Sequence, residues 1–179
     1  MRAVCSLLLL IASISLAAAQ EPSVEFDGAR YVRKKEATPS AAETYVQFGL
    51  ENEPLTGWTK LVTFHLLPEA EPEPTRAAAT MLKFIKDRSR VLGSRLFANA
   101  QIKEAMLSVL YTLHNSDVVE FNVYKYAPAG KGLVAAQFSY RVNLGEQDAS
   151  DVKELRQRAA RVMTDFDMAA VKAYFERPR

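Results

Sequence analysis

Two histidines and one glutamate are the side chains of this sequence with the clearest capacity for chemistry. His65 and His114 are its only histidines, and Glu120 follows the second of them closely. Imidazole and carboxylate groups bind zinc and transfer protons, so three such side chains brought together by neighbouring strands would form a metal site or a small hydrolase centre. The histidines show neither an H-x-H nor an H-x-x-x-H spacing. A hydrolase or metal-dependent enzyme using His65, His114 and Glu120 is therefore the alternative interpretation.

Other enzyme signatures are missing from the sequence. It contains no G-x-S-x-G motif, and Gly130-Lys-Gly132 lacks the rest of a phosphate-binding loop. Its single cysteine, Cys5, lies so close to the N-terminus that it is expected to leave with a signal peptide. We therefore expect no cofactor, and enzymatic activity is uncertain with a preference for none.

The strongest candidate for a functional surface is a row of polar side chains on successive strands. Alternation along the strands predicts that one face of a sheet carries these residues together. The polar face comprises Thr63, His65, Thr112, His114, Glu120, Asn122, Tyr124, Gln137, Ser139 and Arg141. Within it, the expected ligand or partner surface is His65, His114, Glu120, Tyr124, Gln137 and Arg141. The simpler interpretation is an ordinary solvated face of an antiparallel sheet.

The strands that would position these residues are indicated by runs of β-branched and aromatic residues between turn residues. They are predicted at residues 44–51, 58–67, 105–113, 118–126 and 133–144. Short connectors between the last three predict a meander of consecutive hairpins. The alternation within 105–113 places Leu107, Val109 and Tyr111 on the apolar side of the sheet. Residues 20–40 are expected to be a leader with one short strand.

Two amphipathic helical regions complete the predicted fold. Apolar residues recur at helical spacing from Thr75 to about Phe97. A C-terminal helix is expected from Asp148 or Ser150, with a break near Asp165 or Asp167 and a second segment over Met168–Phe175. The sequence thus predicts an α+β fold, in which an antiparallel β-sheet packs against two amphipathic helices on one face.

The order of these elements resembles a known arrangement. Trp58 opens the strand before the first long helix, and a helix closes the chain. In this respect the chain resembles the Mog1/PsbP-like α/β/α sandwich of small exported bacterial proteins of uncharacterised function. The resemblance implies a fold and no particular activity, because that fold carries unrelated binding and accessory roles.

The first residues have the pattern of a secretory signal peptide. Arg2 precedes an apolar run from Val4 to Leu16, and Ala17-Ala-Ala19 precedes Gln20. The run is too short to span a bilayer, which needs about 20 apolar residues. We expect cleavage after Ala19, which leaves residues 20–179 as a single soluble domain without cysteine. The chain has no N-x-S/T sequon, and together these features favour a bacterial periplasm.

Charge and hydropathy restrict the class of partner. The chain has 23 basic and 21 acidic residues, which creates no strong field for nucleic acid. No apolar run after the signal peptide is long enough to span a membrane. The leading hypothesis is a periplasmic, non-enzymatic binding or accessory module, whose partner is an unknown envelope protein or a small ligand.

Overall fold

The computed structural model describes residues 22–113, 116–143, 145 and 149–177. The predicted signal peptide and His114 lie outside these residues. The described residues form eight strands and three helices. The strands are β1 (Ser23–Phe26), β2 (Ala29–Ser40), β3 (Glu43–Leu50), β4 (Lys60–Leu67), β5 (Ser89–Asn99), β6 (Glu104–Leu113), β7 (Val118–Ala129) and β8 (Gly132–Asn143), and the helices are α1 (Pro74–Lys86), α2 (Ala149–Asp165) and α3 (Met168–Glu176).

All eight strands form one antiparallel sheet in the order β1-β2-β3-β4-β8-β7-β6-β5. The sheet consists of two four-stranded meanders, one on each side of the pairing between β4 and β8. The meander predicted for β6, β7 and β8 is confirmed. The sheet curls into a half-barrel.

The N-terminal part is a hairpin rather than a leader. β1 and β2 pair through a turn at Asp27 and Gly28, whose φ angles are 51° and 73°. Two successive positive φ values are typical of a type I′ hairpin turn, which Asp-Gly favours because glycine has no Cβ. The expectation of a leader with one short strand was therefore wrong, and β2 pairs along β3 as an integral part of the sheet.

The first helix is shorter than its sequence pattern predicts. Glu73 caps α1, because its carboxylate accepts hydrogen bonds from the backbone N–H groups of Thr75 and Arg76. The helix ends at Lys86, and β5 follows almost at once. The prediction of a helix to Phe97 was wrong. A register shift between Val91 and Gly93 interrupts the alternation of β5, which leaves its apolar residues at an apparently helical spacing.

Helices cover both faces of the sheet. Leu155, Met163 and Val171 of α2 and α3 belong to one apolar cluster, with Phe138 of β8 and its neighbours. Ala78 and Ile85 of α1 belong to a second cluster, with Leu107, Tyr124 and Ala135. Tyr124 of the second cluster pairs with Gln137, so these two residues lie on the same face of the sheet. Gln137 and Phe138 are adjacent in β8 and point to opposite faces, so the two clusters lie on opposite faces of the sheet.

The predicted fold class was therefore wrong. The protein is not an α+β sheet packed against two helices, because more than half of its described residues lie in strands and the sheet itself curls. Three short helices are distributed over its two faces. None of the helices in the described part of the chain is long and apolar enough to cross a membrane.

The predicted break in the C-terminal helix is confirmed. α2 ends at Asp165, and Asp167 caps α3 by accepting a hydrogen bond from the backbone N–H of Ala169. Lys125 of β7 fixes this break to the sheet. Its ammonium donates hydrogen bonds of 2.9 Å to the carbonyl oxygens of Thr164 and Phe166. These carbonyls lie at the end of α2, where a cation is favourable.

Candidate functional site

A connected set of polar side chains crosses the face of the sheet that α1 covers in part. These residues come from β3, β4, β6, β7 and β8, and hydrogen bonds join each one to the next. We call them the polar network: Glu43, His65, Tyr111, Glu120, Asn122, Gln137, Ser139 and Arg141. The strand register explains the assembly, because Glu120 pairs with Tyr111 and with Arg141, and Asn122 pairs with Ser139.

Glu120 organises one end of the polar network. Its Oε1 accepts hydrogen bonds from the Tyr111 hydroxyl at 2.6 Å and from the Asn122 amide at 3.0 Å. Its Oε2 accepts one from Nη2 of Arg141 at 2.9 Å. Glu120 is only 8% exposed, so these partners replace the water that a carboxylate otherwise needs. Burial, together with the charge of Glu120, raises the pKa of Tyr111 far above its ordinary value.

Two side-chain amides carry the network across the sheet. The Asn122 amide nitrogen donates to the Tyr111 oxygen at 2.8 Å. The Gln137 amide nitrogen donates to Oδ1 of Asn122 and to Oγ of Ser139, both at 2.8 Å. The Ser139 hydroxyl in turn donates to Oδ1 of Asn122. Asn122 is fully buried, and such a satisfied group restrains its neighbours because any displacement would leave a polar atom without a partner.

His65 closes the other end of the polar network. Its Nε2 lies 2.9 Å from Oε1 of Gln137, and its Nδ1 lies 2.9 Å from Oε1 of Glu43. Both partner atoms are acceptors, so the ring is held at both of its nitrogens. The hydrogen bond from His65 lowers the pKa of Glu43, in opposition to partial burial, which would raise it.

The network reaches the surface again at Trp58. The guanidinium carbon of Arg141 lies 4.0 Å from the centre of the Trp58 ring, a cation–π contact. The loop before β4 holds this tryptophan in place. Glu53 accepts hydrogen bonds from the backbone N–H and hydroxyl of Thr59, and the Thr59 carbonyl accepts one from the backbone N–H of Arg141.

The contacts of Glu53 in this loop also shift the pKa of its carboxyl group. Burial alone would raise the pKa of Glu53, but the hydrogen bonds from Thr59 and Lys60 and the charge of Lys60 together lower that pKa below its ordinary value. Trp58 and Arg141 are each partly exposed. We call these two residues the Trp–Arg patch. Glu120 holds the Arg141 side chain, and the Glu53–Thr59 contacts hold the loop that carries Trp58.

The structure brings together most of the residues predicted for the ligand or partner surface. His65, Glu120, Gln137 and Arg141 all belong to the polar network. Tyr124 lies on the same face, in register with Gln137, but it is buried in the apolar cluster under α1 and stacks on Tyr126. His114 lies outside the described residues, so its predicted place in the surface stays a prediction.

Two residues of β6 were assigned to the wrong face of the sheet from the sequence. Thr112 pairs with Val119 and therefore lies on the opposite face, whereas Tyr111 pairs with Glu120 and belongs to the polar network. The alternation within β6 was misread because this strand packs against an apolar cluster on each of its two faces. Glu43 was missed as well. Tyr45 of β3 pairs with His65, and Glu43 lies two residues before Tyr45 in the same strand. This spacing was the signal that could have identified Glu43.

The geometry also bears on metal binding. The hydrogen-bonded chain between His65 and Glu120 passes through Gln137 and Asn122. His65 is paired with Glu43, and Glu120 is paired with Arg141. Among the described residues, no three His, Cys, Asp or Glu side chains are placed to hold a metal ion.

Comparison with known proteins supplies the family. No curated protein matches the chain. A protein-family model matches residues 18–171, a range that includes the eight described strands, both residues of the Trp–Arg patch and the whole polar network. The chain therefore belongs to this family, an uncharacterised family of bacterial type.

Proposed function

We propose that this protein is exported to the periplasm and acts there as a non-enzymatic binding module, which contacts another envelope protein through the Trp–Arg patch. The observation that carries the proposal is the fixed pairing of Arg141 with both Trp58 and the buried Glu120. Export is supported by the apolar run of residues 4–16 followed by Ala17-Ala-Ala19.

The chemistry of the patch is typical of protein interfaces. Tryptophan and arginine are the residue types most often found to dominate binding energy, usually where a side chain is held rigid before binding. Arg141 is held by its hydrogen bonds to Glu120, and Trp58 stacks on Arg141 from a loop that the Glu53–Thr59 contacts hold. The polar network is thus a support for the patch, while the patch offers the contact surface.

The network itself favours binding over catalysis. Both of its carboxylates already accept hydrogen bonds from protein groups, Glu43 from His65 and Glu120 from Tyr111, Asn122 and Arg141. A general base must be able to reach a substrate proton. In the present arrangement, a substrate would have to displace a protein partner from either carboxylate.

The resemblance to the Mog1/PsbP-like sandwich belongs to this proposal. Its support is the position of α1 on one face of the sheet and of α2 and α3 on the other. The resemblance implies a sheet between two layers of helices, and it implies no activity.

The test compares partner capture by matched variants of the mature protein in envelope extracts. We expect a partner that crosslinks to the wild type and is lost with Trp58→Ala and with Arg141→Met. The control is Arg88→Met, which removes a similar stacked pair, since Arg88 lies 3.8 Å from the centre of the Phe84 ring on α1. Equal capture by all four proteins, or turnover of a substrate panel without any partner, would overturn the proposal.

Export is tested separately. A fusion of residues 1–22 to a reporter that is active only in the periplasm should be exported and processed after Ala19. Cytoplasmic retention of that fusion would contradict the proposed location and leave the Trp–Arg patch to be judged on partner capture.

A further inference from the structure

Strand β5 forms one edge of the sheet, and its outer side has no neighbouring strand among the described residues. It pairs with β6 alone. The strand is 11 residues long, and every residue from Ser94 to Asn99 is exposed. The strand at the opposite edge, β1, has only 4 residues. A long exposed edge carries a row of backbone N–H and C=O groups that can pair with an added strand.

Apolar side chains are exposed along this edge as well. Leu92, Leu96 and Phe97 are 47%, 36% and 51% exposed. Leu96 pairs with Leu107 of the cluster that contains α1 residues. Phe97 pairs with Met106, which packs against the cluster of α2 and α3. Apolar surface therefore reaches the edge on both faces of the sheet, and an added strand would cover it on both.

The charge of this edge is positive. β5 contains Arg90 and Arg95 and no acidic residue. Gly93 pairs with Leu110, which packs against the cluster of α2 and α3, so Arg95 lies on that same face two residues later. Arg156 of α2 reaches the same place, because a Cβ built on Gly93 would lie 3.8 Å from its Nη2. None of the three arginines forms an ion pair with another described residue.

The surroundings of Arg156 favour an anion at this position. The side chain is half-buried, and its guanidinium carbon lies 5.5 Å from the centre of the Phe121 ring. Burial and the charge of Arg95 lower the pKa of Arg156. A half-buried cation beside a second cation is unfavourable without a counter-charge. Arg95 is exposed, so a carboxylate can approach the pair from solvent.

A cavity of about 330 Å³ continues this surface between the end of β5 and α2. Phe97, Ile102, Met106 and Ala160 supply its apolar walls, and Arg161 also lines it. When a strand is added to a sheet edge, pockets of this kind hold alternate side chains of the added strand and thereby select its sequence. The cavity therefore favours an apolar side chain on the same face as Arg95.

We propose that the β5 edge binds an extended acidic segment of another protein by strand addition. The backbone of the segment pairs with β5, its carboxylates contact Arg95 and Arg156, and one apolar side chain enters the cavity beside Phe97. A second copy of this chain suits the edge less well, because pairing β5 with itself would bring two sets of arginines together without an acidic residue. The site is separate from the Trp–Arg patch, since β7 and β6 lie between β8, which carries Arg141, and β5.

Three synthetic peptides separate the contributions of charge and backbone pairing. The probe has about ten residues of alternating glutamate and valine, with phenylalanine in place of one glutamate. The second peptide has lysine instead of glutamate. The third keeps the sequence of the probe but is N-methylated along its backbone, which removes its N–H donors and leaves its charge. We expect the probe to bind the mature protein at least about tenfold more tightly than either control, with chemical-shift changes centred on β5 and α2.

Matched variants locate the binding site of the probe. Arg95→Gln should weaken the probe roughly fivefold, whereas Arg30→Gln, at an exposed arginine of β2, should not. Trp58→Ala should leave peptide binding unchanged, so a failure here is distinguishable from a failure of the Trp–Arg patch.

Four results would overturn the proposal of strand addition. In the first, the probe does not bind the wild-type protein up to its solubility limit. In the second, the lysine peptide or the N-methylated peptide binds as tightly as the probe. In the third, Arg95→Gln and Arg30→Gln have equal effects. In the fourth, the free protein self-associates through β5, with intermolecular NMR contacts between two copies of that strand.

Discussion

Tyr126 and His65 lie on either side of Ala135 in one cross-strand row, since both residues pair with it. The small side chain of Ala135 thus separates the buried Tyr126 from the His65 end of the polar network. Ala135 is 1% exposed, and a larger side chain there would have to displace an aromatic ring on one side or an imidazole on the other.

Ala135→Leu should therefore lower the free energy of unfolding by about 1–3 kcal/mol through overpacking. Urea denaturation would measure it. The same substitution at exposed Ala79 is the control and should change stability by less than about 0.5 kcal/mol. Equal effects at the two positions would show that Ala135 has room for a larger side chain.

Glu120→Gln should cost about 2 kcal/mol of stability, because it removes a buried charge that Arg141 and Tyr111 both contact. The comparison is Asp87→Asn, which breaks the exposed pair between Lys83 and Asp87 and should cost no more than about 0.5 kcal/mol. Thermal unfolding of both variants provides the test. A Glu120→Gln protein as stable as the wild type would mean that the network contributes nothing to folding.

The pair of Glu43 and His65 should make stability depend on acidity. Folding lowers the pKa of Glu43 below its ordinary value of 4.5. A carboxylate with a depressed folded-state pKa contributes stability that is present above its unfolded pKa and is lost as the pH falls through its folded pKa. Glu43→Gln should therefore reduce the loss of stability on acidification below pH 4.5.

A double-mutant cycle assigns that effect to the pair. His65→Asn should reduce the same acid-dependent loss, and the double variant should show little further change. Denaturant unfolding at a series of pH values would measure all four proteins. Additive effects of the two substitutions would show that Glu43 and His65 act independently.

Lys125→Met should loosen the junction between α2 and α3. The substitution removes the bonds to the carbonyls of Thr164 and Phe166 and leaves Glu104, which pairs with the ammonium at 3.0 Å, without its partner. We expect a loss of about 3 kcal/mol and faster amide exchange in α3. Lys153→Met, at an exposed position of α2, should leave both quantities unchanged. Slow exchange in α3 of the Lys125 variant would refute this role.

Strand positions were largely predictable from the sequence because their apolar runs end at turn residues. The runs containing Val46, Phe64, Val123 and Phe138 all became strands. The Asp167 break was visible because aspartate is a common helix cap. The hairpin at Asp27-Gly28 was also visible in principle, since Asp-Gly between β-forming segments is a strong turn signal.

The faces of the strands were harder to predict. Alternation of polar and apolar residues identifies the buried face of a strand only when its other face is exposed to solvent. β6 packs against apolar residues on both of its faces. Leu107 packs in the cluster with α1, while Leu110 packs in the cluster with α2 and α3. The candidate site was therefore only partly predicted. His65, Glu120, Gln137 and Arg141 could be found from β4, β7 and β8, but Tyr111 depended on a parity that the sequence leaves ambiguous.

The division of the sheet into two meanders has a consequence for how the protein acquires its site. Within each meander, strands that are consecutive in sequence pair through hairpins, which close short loops quickly. The β4–β8 pairing instead joins segments far apart in the chain, such as Leu61 and Ser139. The bond between His65 and Gln137 crosses this seam. The link that joins Glu43 and His65 to the rest of the polar network therefore depends on this long-range pairing, and a chain in which the two meanders have folded separately still lacks it.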